Sequence, residues 1–477
     1  MTPAAGAVAP PHSADPESLP PPLRAERTPT PPPVWWVVGF VVTGVLVSRG
    51  LWLDRPNGLV FDEVFYASDS LDLMTRGVER GSPSHPPMGK WMLTPGLALF
   101  GFTPWGWRIV PLLAGALVAG LAAWTGWRAT DRVLGAVIAG LVVAVDGVAI
   151  VTGRLALLDG LVALWTTAAL AILVVMVRAP LDRPLQRRLR WALAVVLGLA
   201  IATKWSAVLL FPVAGVVILT IDARLPAKLA RRSVAGAALL LVVLPAAIYV
   251  GSHAGFFANY EHTAAARQAC AAGDCGTGAF DRVQGFLAHH ERVVDYHRDL
   301  EPSHSDVASS WSWLAQTNAV SVFEKRCTDG LAEFATDSDG VCSAGDGEAW
   351  VLVAGNPLLW VMGTAAVLAL AYRALRHRDG LALLVVAIAL GYWLPWAVSA
   401  RAAYSFYGAP LVPVMGVALA VAVTAVPRRV QRWWPVLTLP AVLLSVALWP
   451  VWTGGHLGDG WYDRTVVQTV LTDAWTD

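Results

Sequence analysis

Long apolar runs and short polar connections alternate along this chain. Apolar stretches of about 20 residues recur from position 34 onward, the length a helix needs to cross a hydrocarbon core of roughly 30 Å. The pattern predicts about 11 spans, near 34–52, 105–127, 133–151, 155–177, 189–203, 205–222, 234–252, 351–373, 380–398, 404–426 and 434–452. The segment 88–103 is apolar but short, and Pro95 and Gly96 interrupt it. It reads as an interfacial helix or a re-entrant piece. The chain therefore divides into a Pro-rich tail (1–33), an N-terminal transmembrane module (34–252) carrying the polar loop 53–104, a large loop (253–350), a C-terminal transmembrane module (351–452) and a tail (453–477).

Composition narrows the class. Hydrophobic residues make up 56% and charged residues only 14%, with mean hydropathy +0.54. A soluble domain carries about 25% charged residues. The fold class is an all-α polytopic membrane protein. A net charge of +1 gives no field for nucleic acid. The first 33 residues hold 11 prolines and read as a disordered tail. The first span then serves as an uncleaved signal anchor. The pairs Trp35-Trp36 and Trp433-Trp434 mark span edges, where tryptophan favours the interface.

Loop charge orients the spans. Alternate loops read RATDR (128–132), RAPLDRPLQRRLR (178–190), DARLPAKLARR (222–232), RALRHRD (373–379) and PRRVQR (427–432). The positive-inside rule makes them cytoplasmic. The N-terminus is then inside, and the loops 53–104 and 253–350 and the tail 453–477 face outward. Cysteine usage agrees. Cys270, Cys275, Cys327 and Cys342 all fall in the large outer loop, where disulfides can persist. Pairing Cys270 with Cys275 and Cys327 with Cys342 is the simplest of three connectivities. The ligand spacing argues against zinc.

The charges left on the outer face are few. Arg154 and Asp159 sit in GRLALLDG, Lys204 in TKW and Arg401 in SARAAY, each at a span end. One such residue alone snorkels to lipid headgroups. Three cations in three separate short turns point to a shared anion site, which Arg and Lys would fill by gripping a lipid-linked phosphate. Asp62-Glu63 follows the first span, flanked by Phe61, Phe65 and Tyr66. Read plainly, the pair is a solvated acid or a helix-start acid. Read as chemistry, it is a general base for an incoming hydroxyl. His85-Pro86-Pro87 starts a helix that contains Lys90. The lysine either binds phosphate or anchors the helix at the interface. His289, His290, His297 and His304 read as solvated loop histidines. Trp311 and Trp313 in SSWSWLAQTN read as an amphipathic strand or an aromatic lip for a sugar face.

Taken together, the acidic pair at 62–63, HPPMGK at 85–90, GRLALLDG at 153–160, TKW at 203–205 and the PW…SAR…YGAP run at 395–410 resemble the protein O-mannosyltransferase family in its actinobacterial form. These are membrane enzymes of the GT-C glycosyltransferase class. The resemblance implies transfer of mannose from polyprenyl-phosphate-mannose to Ser or Thr of exported proteins at the outer face of the plasma membrane. It further implies inversion at the anomeric carbon and no metal or organic cofactor, with the secretion translocon as a candidate partner. Asp62 becomes the first candidate for the base, with Glu63 positioning the acceptor or sharing the role. Arg154, Lys204 and Arg401 become the phosphate ligands. His85, Lys90, Asp159, Trp205, Trp311, Trp313, Tyr404 and Tyr407 become the other substrate contacts. Two rival readings stand beside this one: a related transferase acting on a lipid or envelope glycan, and a membrane transporter. The clustering of odd charges at one face speaks against the transporter.

Overall fold

The structure, a computed structural model, describes residues 32–80, 84–299, 309–328, 331–335, 348–399 and 403–457. Helix α1 (Pro32–Gly50) is followed by two helices of the 53–104 loop, α2 (Glu63–Arg76) and α3 (Met88–Phe100). Then come α4 (Pro104–Thr130), α5 (Val133–Val145), α6 (Gly147–Thr152), α7 (Leu158–Arg178), α8 (Arg183–Thr203), α9 (Leu210–Asp222) and α10 (Ala227–Ser252). The second half of the transmembrane bundle consists of α15 (Pro357–His377), α16 (Gly380–Val398), α17 (Leu411–Ala425), the short α18 (Arg428–Gln431) and α19 (Trp434–Thr453).

Among the described residues, eight helices are long and apolar enough to cross a membrane. Two further apolar helices, α5 and α17, are shorter, and α8 carries a run of arginines in its first turns. Length and apolarity therefore do not confirm the expected count of 11. The buried apolar residues form one continuous core, in which α4 packs on α1, α5 and α7, and α17 packs on α5.

The third predicted span, 133–151, is broken at Asp146. Its carboxylate caps α6 by accepting from Ala149 N. Its other oxygen accepts from Asn356 N and from the Trp360 indole. Arg49 crosses the break, its guanidinium donating to Val143 O on α5 and to Ala149 O on α6. Buried backbone carbonyls in hydrocarbon need such partners. Asp146 and Arg49 are both fully buried, so they act in the architecture of the bundle.

The large loop is not wholly helical. It holds α11 (Ala254–Ala258), α12 (Ala264–Ala271), the long α13 (Ala279–Arg298) and α14 (Ser310–Trp313). Three strands follow, β1 (Val320–Thr328), β2 (Leu331–Ala335) and β3 (Glu348–Val353). With β4 (His456–Leu457) they form an antiparallel sheet in the order β2-β1-β3-β4. The C-terminal module thus begins at Pro357 rather than at 351, because residues 348–353 are drawn into the sheet. Trp311 and Trp313 lie on a helical turn, which corrects the strand reading. Cys270 and Cys275 form a disulfide. Cys327 lies on β1, and Cys342 lies outside the described residues, as do most of the tails 1–33 and 453–477.

Candidate active site

Asp62 sits at the N-terminus of α2, immediately after Phe61, whose φ of 50° is left-handed. A bulky residue adopts that conformation only when its surroundings hold it. Here the Phe61 ring meets Phe406 edge-on at 5.6 Å. The strained turn fixes where the Asp62 carboxylate points. It makes no capping bond to its own helix, so the plain helix-start reading fails. One oxygen, Oδ2, accepts from the Tyr66 hydroxyl at 3.0 Å. The other carries no hydrogen bond among the described residues. Burial raises the Asp62 pKa above the ordinary carboxylate range, and the charge of Asp159 adds to this. Lys204 and the Tyr66 hydroxyl pull it back down.

Lys204 arrives from the C-terminal end of α8, where the chain leaves the helix in an extended conformation. Its Nζ donates to both oxygens of Asp159, at 2.9 and 2.8 Å. It also lies 4.5 Å from the centre of the Tyr407 ring, a cation–π contact. The first turn of α7 supplies Asp159. HPPMGK and GRLALLDG contribute to this convergence through their glycines. A Cβ on Gly89 would stand 2.6 Å from Leu158 Cδ2 and 3.1 Å from Thr203 Cγ2. Gly89 therefore lets α3 press onto the two residues preceding Asp159 and Lys204. A Cβ on Gly160 would strike the Thr152 carbonyl, where α7 closes on α6.

Aromatic groups form the rest of the wall. His85 stacks on His297 of α13 at 5.5 Å and lies 6.0 Å from Tyr66. Trp205 lies 6.0 Å from His297. Its indole N–H donates to the Tyr249 hydroxyl at 2.9 Å, and that hydroxyl contacts His290 Nε2 at 2.7 Å. His290 Nδ1 lies 2.8 Å from Phe286 O. A ring that donates there accepts the Tyr249 proton at Nε2, as a neutral imidazole does. Burial lowers the pKa of His290, and brings that of His289 down to about 3. His289, His290 and His297 are half-buried among aromatics, not solvated as the sequence suggested, and His304 lies outside the described residues. Tyr407 stacks near Trp396 at 4.6 Å, and Tyr404 lies against Phe406 at 5.3 Å. Trp313 is buried toward Trp396, whereas Trp311 is 59% exposed and rests edge-on against Trp393.

Three sequence candidates have other employment. The Glu63 carboxylate accepts from Arg108 through Nε (2.9 Å) and Nη2 (2.7 Å), and from the backbone N–H groups of Val60 and Ala156. It is fully buried and fully partnered, so it neither faces an acceptor nor shares the role of Asp62. Arg108, which sequence reasoning missed, also donates to the carbonyls of Leu53, Pro56 and Gly58. The guanidinium of Arg154 donates to the carbonyls of Arg49, Leu51, Trp52 and Arg55. It is directed at the end of α1 and the chain that follows it, and not at a phosphate. Lys90 is buried between Asp69 and Glu79, so it holds α3 to α2 and does not reach the headgroups. Arg401 lies outside the described residues. Among the described residues, no group of three or more His, Cys, Asp or Glu is arranged to hold a metal.

Comparison with known proteins adds an independent line. Residues 99–260 match the family model described as dolichyl-phosphate-mannose-protein mannosyltransferase. The polyprenol-phosphate-mannose–protein mannosyltransferase of Mycobacterium tuberculosis is 28% identical over 432 residues, 81% of this chain and 80% of that protein. The Corynebacterium glutamicum protein of the same name is 26% identical over 452 residues, 83% of this chain and 84% of that one. In fold, the chain superposes on a chain of the Saccharomyces cerevisiae protein O-mannosyltransferase complex bound to the sugar donor. The TM-score is 0.72 at 12% identity, covering 90% of this chain and 91% of that chain.

Proposed function

We propose that this chain, a multi-pass membrane protein with the GT-C fold and a relative of the protein O-mannosyltransferases, transfers mannose from polyprenyl-phosphate-mannose to Ser or Thr hydroxyls of proteins. The observation that carries the residue assignment is the convergence of Asp62, with one unpartnered oxygen, on a lysine held by Asp159.

Asp62 acts as the general base. It takes the proton of the acceptor hydroxyl as that oxygen attacks the anomeric carbon. The bond from that carbon to the phosphate oxygen breaks, and its electron pair leaves with the polyprenyl phosphate. Attack from the face opposite the phosphate inverts the centre. Lys204 neutralises the charge that develops on the leaving phosphate, and Arg401 assists it. Asp159 is a positioning residue that holds the ammonium in place until the phosphate arrives. His85, Trp205, Tyr404 and Tyr407 form the walls for lipid phosphate and sugar, and the exposed Trp311 is an acceptor-side contact. The reaction faces outward across the plasma membrane. Support for that orientation comes from the basic character of the alternate loops. Exported chains emerging from the secretion translocon would then meet the site directly.

The test is a purified preparation given labelled polyprenyl-phosphate-mannose and a Ser/Thr-rich peptide. Label in the peptide supports the reading; label confined to a glycolipid fraction overturns the assignment of acceptor. Transfer is expected to persist in excess chelator, because a fixed cation serves the phosphate. Loss of activity restored by added divalent metal would overturn that part.

A further inference from the structure

A second concave site lies at the far end of α8 from Lys204. It is a cavity of about 390 Å³ between the first turns of α8, the last turn of α9 and the first turns of α10. Along α8 Arg190 stands about 20 Å from Lys204, and the 21 residues of that helix, at about 1.5 Å rise each, carry the rim residue Arg183 to roughly 30 Å. That is the thickness of a hydrocarbon core. The two sites therefore belong to opposite faces of the membrane.

Four arginines and one aspartate line this cavity. Arg190 is fixed: its Nη atoms donate to both oxygens of Asp222 and to the Ser233 hydroxyl. Its Nε is buried and has no partner among the described residues. Arg183, Arg187 and Arg232 make no ion pair among the described residues and stand exposed at the rim. The floor changes character toward the membrane. Gly236 and Ala237 leave the α10 surface low, and Leu225, Leu229 and Leu240 make it apolar. Trp191 lines the same cavity and is 56% exposed, as suits a side chain at the headgroup level. A basic rim over an apolar floor, beside an interfacial tryptophan, matches a phospholipid: phosphate at the arginines, acyl chain along the leucines. A small soluble anion would use the rim and leave the floor unfilled.

We infer that this cavity binds the headgroup of an anionic phospholipid in the leaflet opposite the catalytic face. The binding is independent of the proposed transfer reaction. It is tested on the purified full-length chain in neutral detergent, by native mass spectrometry of lipid adducts. The probes are phosphatidylglycerol, phosphatidylcholine of the same chains, and millimolar inorganic phosphate as competitor. Phosphatidylglycerol is expected to bind at least about tenfold more tightly than phosphatidylcholine. Each rim arginine removed weakens it about fivefold, so R187A/R232A loses roughly 25-fold. The R224A/K228A pair removes two exposed basic residues of the same face that do not line the cavity. It should leave binding within about twofold. Should R187A/R232A yield too little folded protein, R232Q alone reads the same effect at one fifth of wild-type affinity.

Four outcomes overturn the inference. They are equal binding of both lipids, full affinity in R187A/R232A, an equal loss in R224A/K228A, and displacement of phosphatidylglycerol by inorganic phosphate at comparable concentration. The last would reassign the cavity to a soluble anion.

Discussion

Asp62 and Glu63 are neighbours in sequence, yet they occupy opposite kinds of site. Glu63 is fully buried and accepts four hydrogen bonds, two from Arg108 and two from backbone. Asp62 accepts one and keeps an oxygen open, with Lys204 and Asp159 near enough to act on its charge. The same division separates the cations. Arg108 is saturated by carbonyls and a carboxylate, and Arg154 spends both Nη atoms on carbonyls, while Lys204 holds one carboxylate and also faces the Tyr407 ring. A buried charge whose hydrogen-bonding capacity is filled holds the chain in place. A charge left with spare capacity beside an opposite one can still react.

The sharpest way to break this comparison is to remove each carboxylate's charge in turn. Asp62→Asn should lower mannosyl transfer by about 10²–10⁴-fold and leave the thermal unfolding midpoint of the purified protein unchanged. Full transfer in this variant would end its role as base. Glu63→Gln should act the other way round. It leaves Arg108 buried beside a neutral group, which costs about 3–5 kcal/mol and appears as loss of monodisperse protein on size-exclusion chromatography. A stable but inactive Glu63→Gln would exchange the two roles. Arg154→Ala should cost about 1–3 kcal/mol through the carbonyls it abandons, with KM for the lipid donor unaltered. A raised donor KM at normal stability would restore Arg154 to the phosphate site.

The smallest effects lie in pH dependence. Only ionised Asp62 accepts a proton, so turnover should fall about tenfold per pH unit below its raised pKa. The phenol of Tyr66 donates to that ionised form. Tyr66→Phe should therefore move the acid limb to higher pH, by about 0.5–1 unit. A shift to lower pH would contradict the hydrogen-bond direction.

The spans were legible because a hydrocarbon core demands long apolar runs. HPPMGK, GRLALLDG and TKW were legible as meaningful for the same reason: charge at a span end has to be explained. Which charges were structural could not be read. Arg108 lies 45 residues from Glu63 in the chain, and Arg154 contacts carbonyls that no side-chain pattern announces. Asp146 and Arg49 did carry a signal, since each is a charge within or at the end of an apolar run, and an intramembrane charge calls for a named partner. The sheet was hidden because β3 runs into the apolar stretch that reads as a span from 351, and β1 lies in the long loop before it. Gly89 appeared only as part of a motif; its work, letting α3 approach α7 and α8, is a matter of volume that spacing does not encode.

The break at Asp146 joins the two halves of the bundle. Its carboxylate belongs to the N-terminal module, and its partners Asn356 and Trp360 stand where the C-terminal module begins. The Asn356 side chain in turn donates to Ala441 O and Ser445 Oγ of α19. Residues more than 200 positions apart thus share one buried carboxylate, a bond between the modules that does not run through the loop. Co-expressed as two polypeptides divided within 253–350, the modules would carry their own means of recognising each other, and the mature enzyme would be a heterodimer in all but covalent continuity.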